Sequence, residues 1–392
     1  MTPLAISAVT LTTALGHGWA ASAEALRAQR SGLAPTRFLD VELPTWTGVV
    51  EGLDAVTLPA DLSDFDCRNN RLAWHGLQAD GVQGAVQRAR SRWGAHRVAL
   101  ILGTSTSGQL STELAYRRRR ADGRLPADFR YAQTQSTYSL AGFVGRALGL
   151  EGPSWVVSTA CSSSAKVFAG AARLIETGLA DAALVGGVDS LCLTTLYGFN
   201  SLELLARDIC RPWDAQRHGL SLGEGAAYAL LERDATAPLG WLLGTGESSD
   251  GYHMSSPHPQ GLGAVQAMRA ALADAGLAPQ AVDYINLHGT ATPNNDAAED
   301  AAVSAVFGTS TPCSSTKGAT GHTLGAAGAV EAAISLLALQ HGLLPAGLNL
   351  ATPDPALRVN YLRHNEARAL RTVLSNSFGF GGSNASLVLG AA

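Results

Sequence analysis

The stretch SWVVSTACSSSAKVFAGAARLIETG, residues 154–178, decides the fold class of this chain. It opens as a short apolar strand, passes through small residues to Cys161, and continues with apolar residues at the spacings of three and four that are typical of a helix. A cysteine at a helix N-terminus lies near the positive end of the helix dipole, which favours the thiolate. Cys161 is therefore a candidate nucleophile. A buried structural cysteine is the alternative that this stretch leaves open.

Short apolar runs and amphipathic stretches alternate along the rest of the chain in the same way. Helices are predicted over residues 20–30, 263–275 and 326–339. Buried strands are predicted over residues 6–11, 98–102, 155–157, 182–185, 241–243, 284–287 and 372–374. Such alternation favours an α/β protein in which helices pack on sheets.

The two halves of the chain resemble each other. Each contains a strand that ends in Gly-Thr (VALILGT and YINLHGT), then Cys161 or His322 at the start of a helix, and then a strand that runs into glycines (ALVGGVDS and TVLSNSFGFGG). The pattern predicts a duplication, with an N-terminal half over residues 1–235 that carries the nucleophile. The C-terminal half, residues 236–392, carries both candidate histidines, and the active site is expected where the halves meet. A chance similarity is the alternative.

Composition argues against several classes of protein. The chain has 392 residues, a hydrophobic content of 46% and a net charge of −4, so neither disorder nor nucleic-acid binding is predicted. Its five cysteines are widely spaced and include no C-x-x-C pair, so we expect free thiols in a reducing compartment. No basic region precedes the first apolar stretch, and the most apolar run is broken at residues 340–342. We therefore expect no signal peptide, no membrane span and a cytoplasmic location.

Two further motifs contain histidines. In YINLHGTATPNND, residues 284–296, His288 follows an apolar strand, and such positions often face a crevice in α/β folds. Thr290 and Thr292 offer hydroxyls to a polar ligand there. In SSTKGATGHTLGAAGAVEAA, residues 314–333, His322 follows a glycine-containing turn. An ordinary hydrogen-bonded histidine and ordinary turn threonines are the alternatives for these positions.

The motif at residues 314–333 also contains a possible ion pair, and a further motif near the C-terminus is rich in glycine. Lys317 and Glu331 could pair with each other, and a plain surface ion pair is the alternative for them. In SNSFGFGGSN, residues 375–384, Phe378 and Phe380 lie among glycines, which suggests a mobile loop whose backbone N–H groups form an oxyanion hole. A tight turn is the alternative. The histidines are not spaced as metal ligands, so no metal site is predicted.

Taken together and in this order, these motifs resemble the β-ketoacyl-acyl-carrier-protein synthases of the thiolase superfamily. The resemblance covers nearly the whole chain and rests on STACSSS, RPWDAQRHGLSLGEGAA, HGTATPNND, STKGATGHTLGAAGAVEA and NSFGFGGSN. It implies a duplicated five-layer α-β-α-β-α thiolase fold, a dimer, and Cys161, His288 and His322 as the catalytic residues. It also implies acyl carrier protein as the partner, with substrates on its phosphopantetheine arm and no separate cofactor.

The motifs also distinguish this chain from related proteins. Initiating synthases have Asn in place of one histidine, whereas both are present here, as in elongating enzymes. Thiolases use a second cysteine near the C-terminal glycine loop, where this chain has Phe378 and Phe380, and chain-length-factor subunits lack the nucleophile. TACSSS is similar to polyketide-type ketosynthases and STKGATGHTLGAAG to fatty-acid enzymes. This mixture suggests a stand-alone synthase of a specialised pathway, such as one that makes aryl polyenes.

The resemblance implies positions for the bound substrate. Thr290 and Thr292 would lie along the phosphopantetheine arm, and Phe378 would be a further substrate-binding residue. Thr106 and Phe199 would line the far end of the acyl pocket. Carrier proteins are acidic, so three arginines are candidate docking residues: Arg68, Arg71 and Arg207.

The resemblance also implies roles close to the reacting atoms. Phe380 would gate the acyl pocket, and the backbone N–H groups of Cys161 and Phe380 would form the oxyanion hole. Lys317, oriented by Glu331, would tune the local field. The implied reaction is a decarboxylative Claisen condensation between an acyl group on Cys161 and malonyl-acyl-carrier protein.

Two other functions remain open at the level of sequence. The first is acyl transfer to an amine or alcohol without carbon–carbon bond formation. The second is a subunit that only shapes the pocket of a partner. Whether the partner subunit is a second copy or a chain-length-factor-like relative is also left open.

Overall fold

The computed structural model describes all residues from Met1 to Ala392. Its strands are β1 Leu4–Thr13, β2 Gly16–His17, β3 Ala34–Pro35, β4 Trp46–Gly48, β5 Val98–Gly103, β6 Ser154–Val157, β7 Ala182–Asp189, β8 Leu222–Gly223, β9 Gly225–Glu232, β10 Gly240–Ser249, β11 Tyr284–Asn286, β12 Pro312–Ser314, β13 Leu343–Leu344, β14 Asn360–Tyr361, β15 Glu366–Ala367, β16 Thr372–Gly379 and β17 Ser383–Gly390. Its α-helices are α1 Trp19–Arg27, α2 Arg68–Leu77, α3 Val82–Trp93, α4 Gln109–Arg117, α5 Ser139–Leu148, α6 Ser163–Glu176, α7 Leu193–Ser201, α8 Leu262–Ala275, α9 Pro293–Phe307, α10 Lys317–Thr320 and α11 Ala327–His341.

The main sheet is built from two segments with the same topology. One segment has the order β6-β5-β7-β9-β1 and the other β12-β11-β16-β17-β10, so the corresponding strands follow in the same sequence from edge to centre. In each segment the fourth strand, β9 or β17, is antiparallel to both neighbours, whereas the three before it are parallel. The segments join where β1 pairs with β10, and β14 extends the far edge. The repeat predicted from the sequence pattern is therefore present in the strand order.

Helices cover both faces of both segments. Helices α2, α3 and α5 pack on the outer face of the first segment, and α8 packs on the outer face of the second. Helices α6 and α11 lie between the two segments and contact strands of both. The resulting layers are helix, sheet, helix, sheet and helix, as the five-layer arrangement requires.

The middle layer explains the composition of α11. Because this helix is covered on all sides, its sequence AGAVEAAISLLALQH is apolar all round rather than amphipathic. The stretch Leu324–His341 is long and apolar enough to cross a membrane, but 89% of it is buried inside the protein, as expected of a core helix. Gly328 lies where α11 meets α6, and a Cβ added there would come within 2.4 Å of the Ala165 backbone nitrogen.

Every predicted strand and helix overlaps an observed one, with shifts at the ends. The catalytic candidates lie just before their helices and not inside them: α6 begins at Ser163, after Cys161. A single 3₁₀ turn, Leu324–Ala326, separates His322 from α11. The boundary predicted at 235/236 falls in the connection between β9 and β10, and it remains a prediction.

Candidate active site

Cys161 lies at a sharp turn between β6 and α6. The preceding residue, Ala160, has φ 52°, a left-handed conformation that a side chain with a Cβ adopts only under constraint. The hydroxyl of Ser163 accepts the Thr159 N–H at 2.9 Å and holds this turn closed. The first turn of α6 also presses against Gly103, where a Cβ would meet the Ser164 nitrogen at 2.5 Å. The small residues around Cys161 therefore allow the helix to start deep inside the fold.

His288 follows the C-terminal end of β11. The carboxylate of Glu299, on α9, accepts the backbone N–H groups of His288 at 2.8 Å and Gly289 at 2.7 Å. Asp296, also on α9, accepts the N–H of Ala291, whose φ is 66°. These two carboxylates fix the loop that carries His288, Thr290 and Thr292.

The N-terminal half holds the backbone of His322. Its N–H donates to the Ser221 carbonyl at 2.7 Å, and its carbonyl accepts from Gly223 at 3.0 Å. A side chain at residue 223 would meet the Thr320 carbonyl oxygen at 2.2 Å, so this position requires glycine. The motif RPWDAQRHGLSLGEGAA, quoted for the resemblance without a role, thus supplies the strand against which His322 is placed.

The structure brings Cys161, His288 and His322 together. Nε2 of His322 lies 2.9 Å from Sγ of Cys161, and the two imidazole rings meet edge to face with centroids 5.4 Å apart. One donor atom from each of the three side chains lies within 4.8 Å of the others. All three residues are buried, although they come from distant parts of the sequence.

Lys317 and Glu331 form a buried ion pair beside His288. The Lys317 ammonium contacts the Glu331 carboxylate, donates to the His288 carbonyl at 2.5 Å, and lies 3.3 Å from Nδ1 of His288. Lys317 is 1% exposed, so the alternative of a surface ion pair does not hold. Its charge also opposes a metal ion, because a cation bound by Cys161, His288 and His322 would lie close to an ammonium group.

Burial governs protonation at this site. Loss of hydration lowers the pKa of both His288 and His322 well below the usual value, and the Lys317 ammonium lowers them further, so both rings are neutral. Burial raises the pKa of the Cys161 thiol to about 11, and Lys317 only partly offsets this. The helix N-terminus is expected to favour the thiolate, but at this site desolvation outweighs the Lys317 charge and the Phe380 N–H, so the thiol is the resting form.

The three side chains open into a cavity of about 290 Å³. Thr290 and Thr292 line it, with their hydroxyl oxygens 3.0 Å apart. Phe378 lies beside His288 with ring centroids 6.0 Å apart, and Phe199 packs on Phe380 at 5.6 Å. These four predicted substrate contacts and Phe380 therefore surround the same cavity.

The glycine-rich loop approaches the nucleophile closely. The backbone N–H of Phe380 points at the thiol of Cys161. A Cβ at Gly379 would lie 3.2 Å from the Cys161 nitrogen. Gly381 and Gly382 have φ of 78° and 71°, which glycine adopts without strain. The loop thus places the backbone N–H of Phe380 next to the reactive sulfur, where the backbone N–H of Cys161 itself also lies.

Asp250 ties a second loop to the glycine-rich one. Its carboxylate accepts from the amide of Asn384 at 2.8 Å and from the His258 N–H at 3.0 Å. The Asp250 N–H donates to Gly382, and the Gly381 N–H donates to the Met254 carbonyl, both at 2.8 Å. These bonds connect residues 250–261 to the wall of the cavity.

Some of the predicted site residues lie elsewhere. Thr106 is absent from the cavity wall, because its hydroxyl is turned to the buried carboxylate of Asp189 at 2.5 Å. The charge of Arg68 is paired, because its guanidinium lies 2.6 Å from the buried Glu224 carboxylate and also contacts Asp54. In both cases the polar group has a partner inside the protein, and the roles of Thr106 in the acyl pocket and of Arg68 in docking stay predictions.

The other two candidate docking residues remain accessible. Arg71 is one-third exposed and forms two hydrogen bonds with Asp66, whereas the side chain of Arg207 is exposed without a carboxylate partner. Arg207 is therefore the candidate whose charge is most accessible.

Sequence reasoning missed four carboxylates that organise the site: Asp189, Asp250, Asp296 and Glu299. A signal existed for Asp296 and Glu299, which are three residues apart in a helical pattern directly after HGTATP and so share one face. Asp189 follows the glycines of ALVGGVDS, a stretch whose pattern indicates only a strand of the repeat.

Comparison with known proteins finds relatives over the whole chain. Residues 1–237 match the family described as beta-ketoacyl synthase, N-terminal domain, and residues 239–351 match the beta-ketoacyl synthase, C-terminal domain. The chain is 34% identical to a 3-oxoacyl-[acyl-carrier-protein] synthase 2 from Coxiella burnetii, over 98% of this chain and 97% of the relative.

Solved structures give the same result. The chain is similar to a ketosynthase (ApeO) in complex with its chain length factor (ApeC) from Xenorhabdus doucetiae, with a TM-score of 0.92 and 39% identity over 99% of this chain and 98% of that one. It is also similar to the ishigamide ketosynthase/chain length factor, with a TM-score of 0.91 and 27% identity over 100% and 99% of the two chains. The predicted duplicated thiolase fold is confirmed.

Proposed function

The chain belongs to the β-ketoacyl synthase family, and from this premise we propose that Cys161, His288 and His322 are the groups with which it catalyses condensation. The enzyme joins an acyl group to the two-carbon unit of malonyl-acyl-carrier protein and releases carbon dioxide. The product is a β-ketoacyl-acyl-carrier protein for fatty-acid or polyketide synthesis. The observation that carries the assignment of residues is the 2.9 Å contact between Cys161 Sγ and His322 Nε2, with His288 beside it.

In the first half-reaction Cys161 attacks the acyl thioester. Because burial keeps the thiol protonated, the proton must leave as the sulfur–carbon bond forms. His322 Nε2 is the base within reach of that proton, and it returns the proton to the departing carrier thiol. Covalent storage on Cys161 then separates acyl transfer from carbon–carbon bond formation.

In the second half-reaction malonyl carrier enters the cavity and loses carbon dioxide. Negative charge grows on the thioester oxygen, and the neutral rings of His288 and His322 donate hydrogen bonds to it. His322 donates from Nε2, to which its ring proton has moved from Nδ1 by exchange with solvent after the first half-reaction. Lys317 contacts Nδ1 of His288, which leaves Nε2 of that ring to donate. One preorganised donor of this kind contributes about 2.7–4 kcal/mol to lowering the barrier.

The carbanion then attacks the acyl carbonyl on Cys161. The backbone N–H groups of Cys161 and Phe380 stabilise the resulting oxyanion. Collapse of this intermediate forms the β-ketoacyl product, and the Cys161 thiolate that departs takes up a proton from solvent. Thr290 and Thr292 hold the phosphopantetheine arm, while Phe378, Phe380 and Phe199 contact the acyl chain.

A test of these roles separates the two half-reactions. Cys161→Ala is expected to form no acyl-enzyme and no product. If Cys161→Ala condensed acyl and malonyl carriers at the wild-type rate, the assignment would be wrong. Release of labelled carbon dioxide from malonyl carrier distinguishes condensation from plain acyl transfer, which releases none.

For the assembly, we propose a heterodimer with a chain-length-factor-like subunit, in which this chain supplies the nucleophile. Support comes from the 39% identity to a ketosynthase solved with its chain length factor. A cytoplasmic aryl-polyene or related polyketide pathway fits this proposal, as do the five free cysteines. A homodimer is the alternative, and the mass of the active complex after co-expression with the candidate partner decides between them.

Arg207 and Arg71 are the proposed contacts for the acidic carrier protein.

A further inference from the structure

One buried charge near the site has no part in the mechanism above. Asp189 is the last residue of β7 and is 0% exposed. Its hydrogen-bond partners are neutral: the hydroxyls of Thr104 and Thr106 at 2.8 and 2.5 Å, and backbone N–H groups. A buried carboxylate without a cation is costly unless its hydrogen bonds are complete, so the network around it must be well formed.

The backbone N–H groups bound by Asp189 come from both halves of the molecule. Ser105 and Thr106 donate at 2.9 and 2.7 Å from the loop after β5, in the N-terminal half. Ala326 donates at 3.0 Å from the turn between His322 and α11, in the C-terminal half. One carboxylate therefore joins the segment that follows His322 to a loop of the other half.

The same loop touches the turn that holds the nucleophile. The hydroxyl of Ser105 lies 3.4 Å from the carbonyl of Ala160, the strained residue before Cys161. Gly187 lies two residues before Asp189 and therefore on the same face of β7. Ser164 of α6 and Ala326 pack against Gly187. A Cβ there would lie 2.5 Å from the Ser164 side chain and 2.8 Å from the Ala326 Cα. The end of β7 is thus the place where the Cys161 and His322 segments are held against each other.

We propose that Asp189 is a positioning residue that fixes the separation between Cys161 and His322 through Thr104–Thr106 and Ala326. Its carboxylate touches neither substrate nor the reacting atoms. It acts by accepting N–H groups on both sides of the junction, so its loss lets the His322 segment move relative to the sulfur. This inference rests on the proposed roles of Cys161 and His322.

The experiment compares Asp189→Asn with Asp181→Asn. Asp181 directly precedes the other end of the same strand, is 9% exposed and is ion-paired with Arg97 and Arg233, so its substitution perturbs β7 far from the site. Both variants are assayed below their unfolding temperatures, and rates are expressed per alkylatable Cys161. Asp189→Asn is expected to lower kcat by about 10–100-fold with KM nearly unchanged, because a displacement of about 1 Å costs roughly that much. Asp181→Asn is expected to lower only the unfolding temperature.

A second measurement reports on the contact between Cys161 and His322. Without His322 next to it, the Cys161 thiolate loses a hydrogen-bond donor, so the pH midpoint for alkylation of Cys161 by iodoacetamide should rise in Asp189→Asn. Removal of a nearby negative charge alone would lower that midpoint. An unchanged or lowered midpoint, or an unchanged rate per active site, overturns the proposal.

Thr106→Val keeps the test valid if Asp189→Asn does not fold. It removes one hydroxyl from the network and preserves the backbone contacts, so a smaller loss of kcat in the same direction is expected. A wild-type kcat in Thr106→Val, with Asp189→Asn unfolded, overturns the proposal. If Cys161→Ala is inactive while these variants are fully active, the inference fails and the proposed function stands. If Cys161→Ala still catalyses condensation, the proposed function is wrong instead.

Discussion

At the scale of single residues, the protonation of Cys161 is set by competition between burial and nearby charge. Desolvation raises its pKa to about 11 although Lys317 and the backbone N–H of Phe380 act in the opposite direction. The resting enzyme therefore holds a thiol rather than a thiolate at neutral pH. Nucleophilicity must come from proton removal during attack, which is why the contact with His322 matters.

The first prediction concerns the pH dependence of this thiol. The rate of Cys161 alkylation by iodoacetamide should keep rising with pH above the ordinary range of thiols, because the reactive thiolate appears only near the raised pKa of about 11. Mass spectrometry of the peptide that contains Cys161 separates it from the other four cysteines, which are also buried. A midpoint below that of a free thiol would show that the dipole and Lys317 outweigh burial.

The second prediction separates the two histidines. His288→Ala should slow carbon dioxide release from malonyl carrier by about 100–1,000-fold, because one donor to the growing negative charge is lost. It should leave acylation of Cys161 largely intact, whereas His322→Ala should slow acylation, because its Nε2 is next to the sulfur. Acyl-enzyme formation and gas release are measured separately. Equal losses in both steps for both variants would contradict this division of roles.

At the scale of elements, close contact between α6 and α11 places the nucleophile and His322 in one layer. This contact depends on small residues, above all on Gly328 against Ala165. Gly328→Ala is expected to destabilise the protein by about 1–3 kcal/mol, because a Cβ at 2.4 Å from a backbone nitrogen forces the helices apart.

Gly198→Ala is the matched control for this third prediction. Gly198 lies inside α7, and a Cβ there meets nothing within 4 Å. Alanine should therefore stabilise that helix by about 0.5–1 kcal/mol. Denaturant titration of both variants tests the argument, and equal effects at the two positions would refute it.

The fourth prediction concerns the two loops at the mouth of the cavity. Asp250→Ala removes the acceptor for Asn384 and for the His258 N–H, so residues 250–261 and 379–382 should loosen together. Backbone hydrogen exchange in both loops should increase about tenfold or more, since hydrogen bonds to a charged group contribute about 1.5–3 kcal/mol each.

Met254→Ala, in the same loop, is the control for this change. Its side chain is 78% exposed, and its carbonyl still accepts the Gly381 N–H after the substitution. Its exchange pattern should match the wild type. Faster exchange in only one loop of Asp250→Ala would mean that the loops are not coupled.

At the scale of the whole molecule, the strand and helix pattern was predictable because it depends on local periodicity. The duplication was also visible, since strands ending in glycines recur before and after each catalytic candidate. Long-range partners of individual side chains were not predictable. Arg68 pairs with Glu224 and Thr106 with Asp189, contacts between residues 156 and 83 positions apart that no local pattern encodes. The rise in the pKa of Cys161 could not be predicted for the same reason, because it depends on distant segments that bury the thiol.

The central claim is that Cys161 carries the acyl group that condenses with malonyl carrier. The most direct test is to incubate the enzyme, with its partner subunit if one is required, with acyl carrier alone and then with malonyl carrier labelled at its free carboxyl group. The account predicts an acyl mass on the peptide that contains Cys161, its disappearance when malonyl carrier is added, and one labelled carbon dioxide released for each β-ketoacyl product. An acyl group that stays on Cys161 while product forms, or product formed without released label, would contradict it.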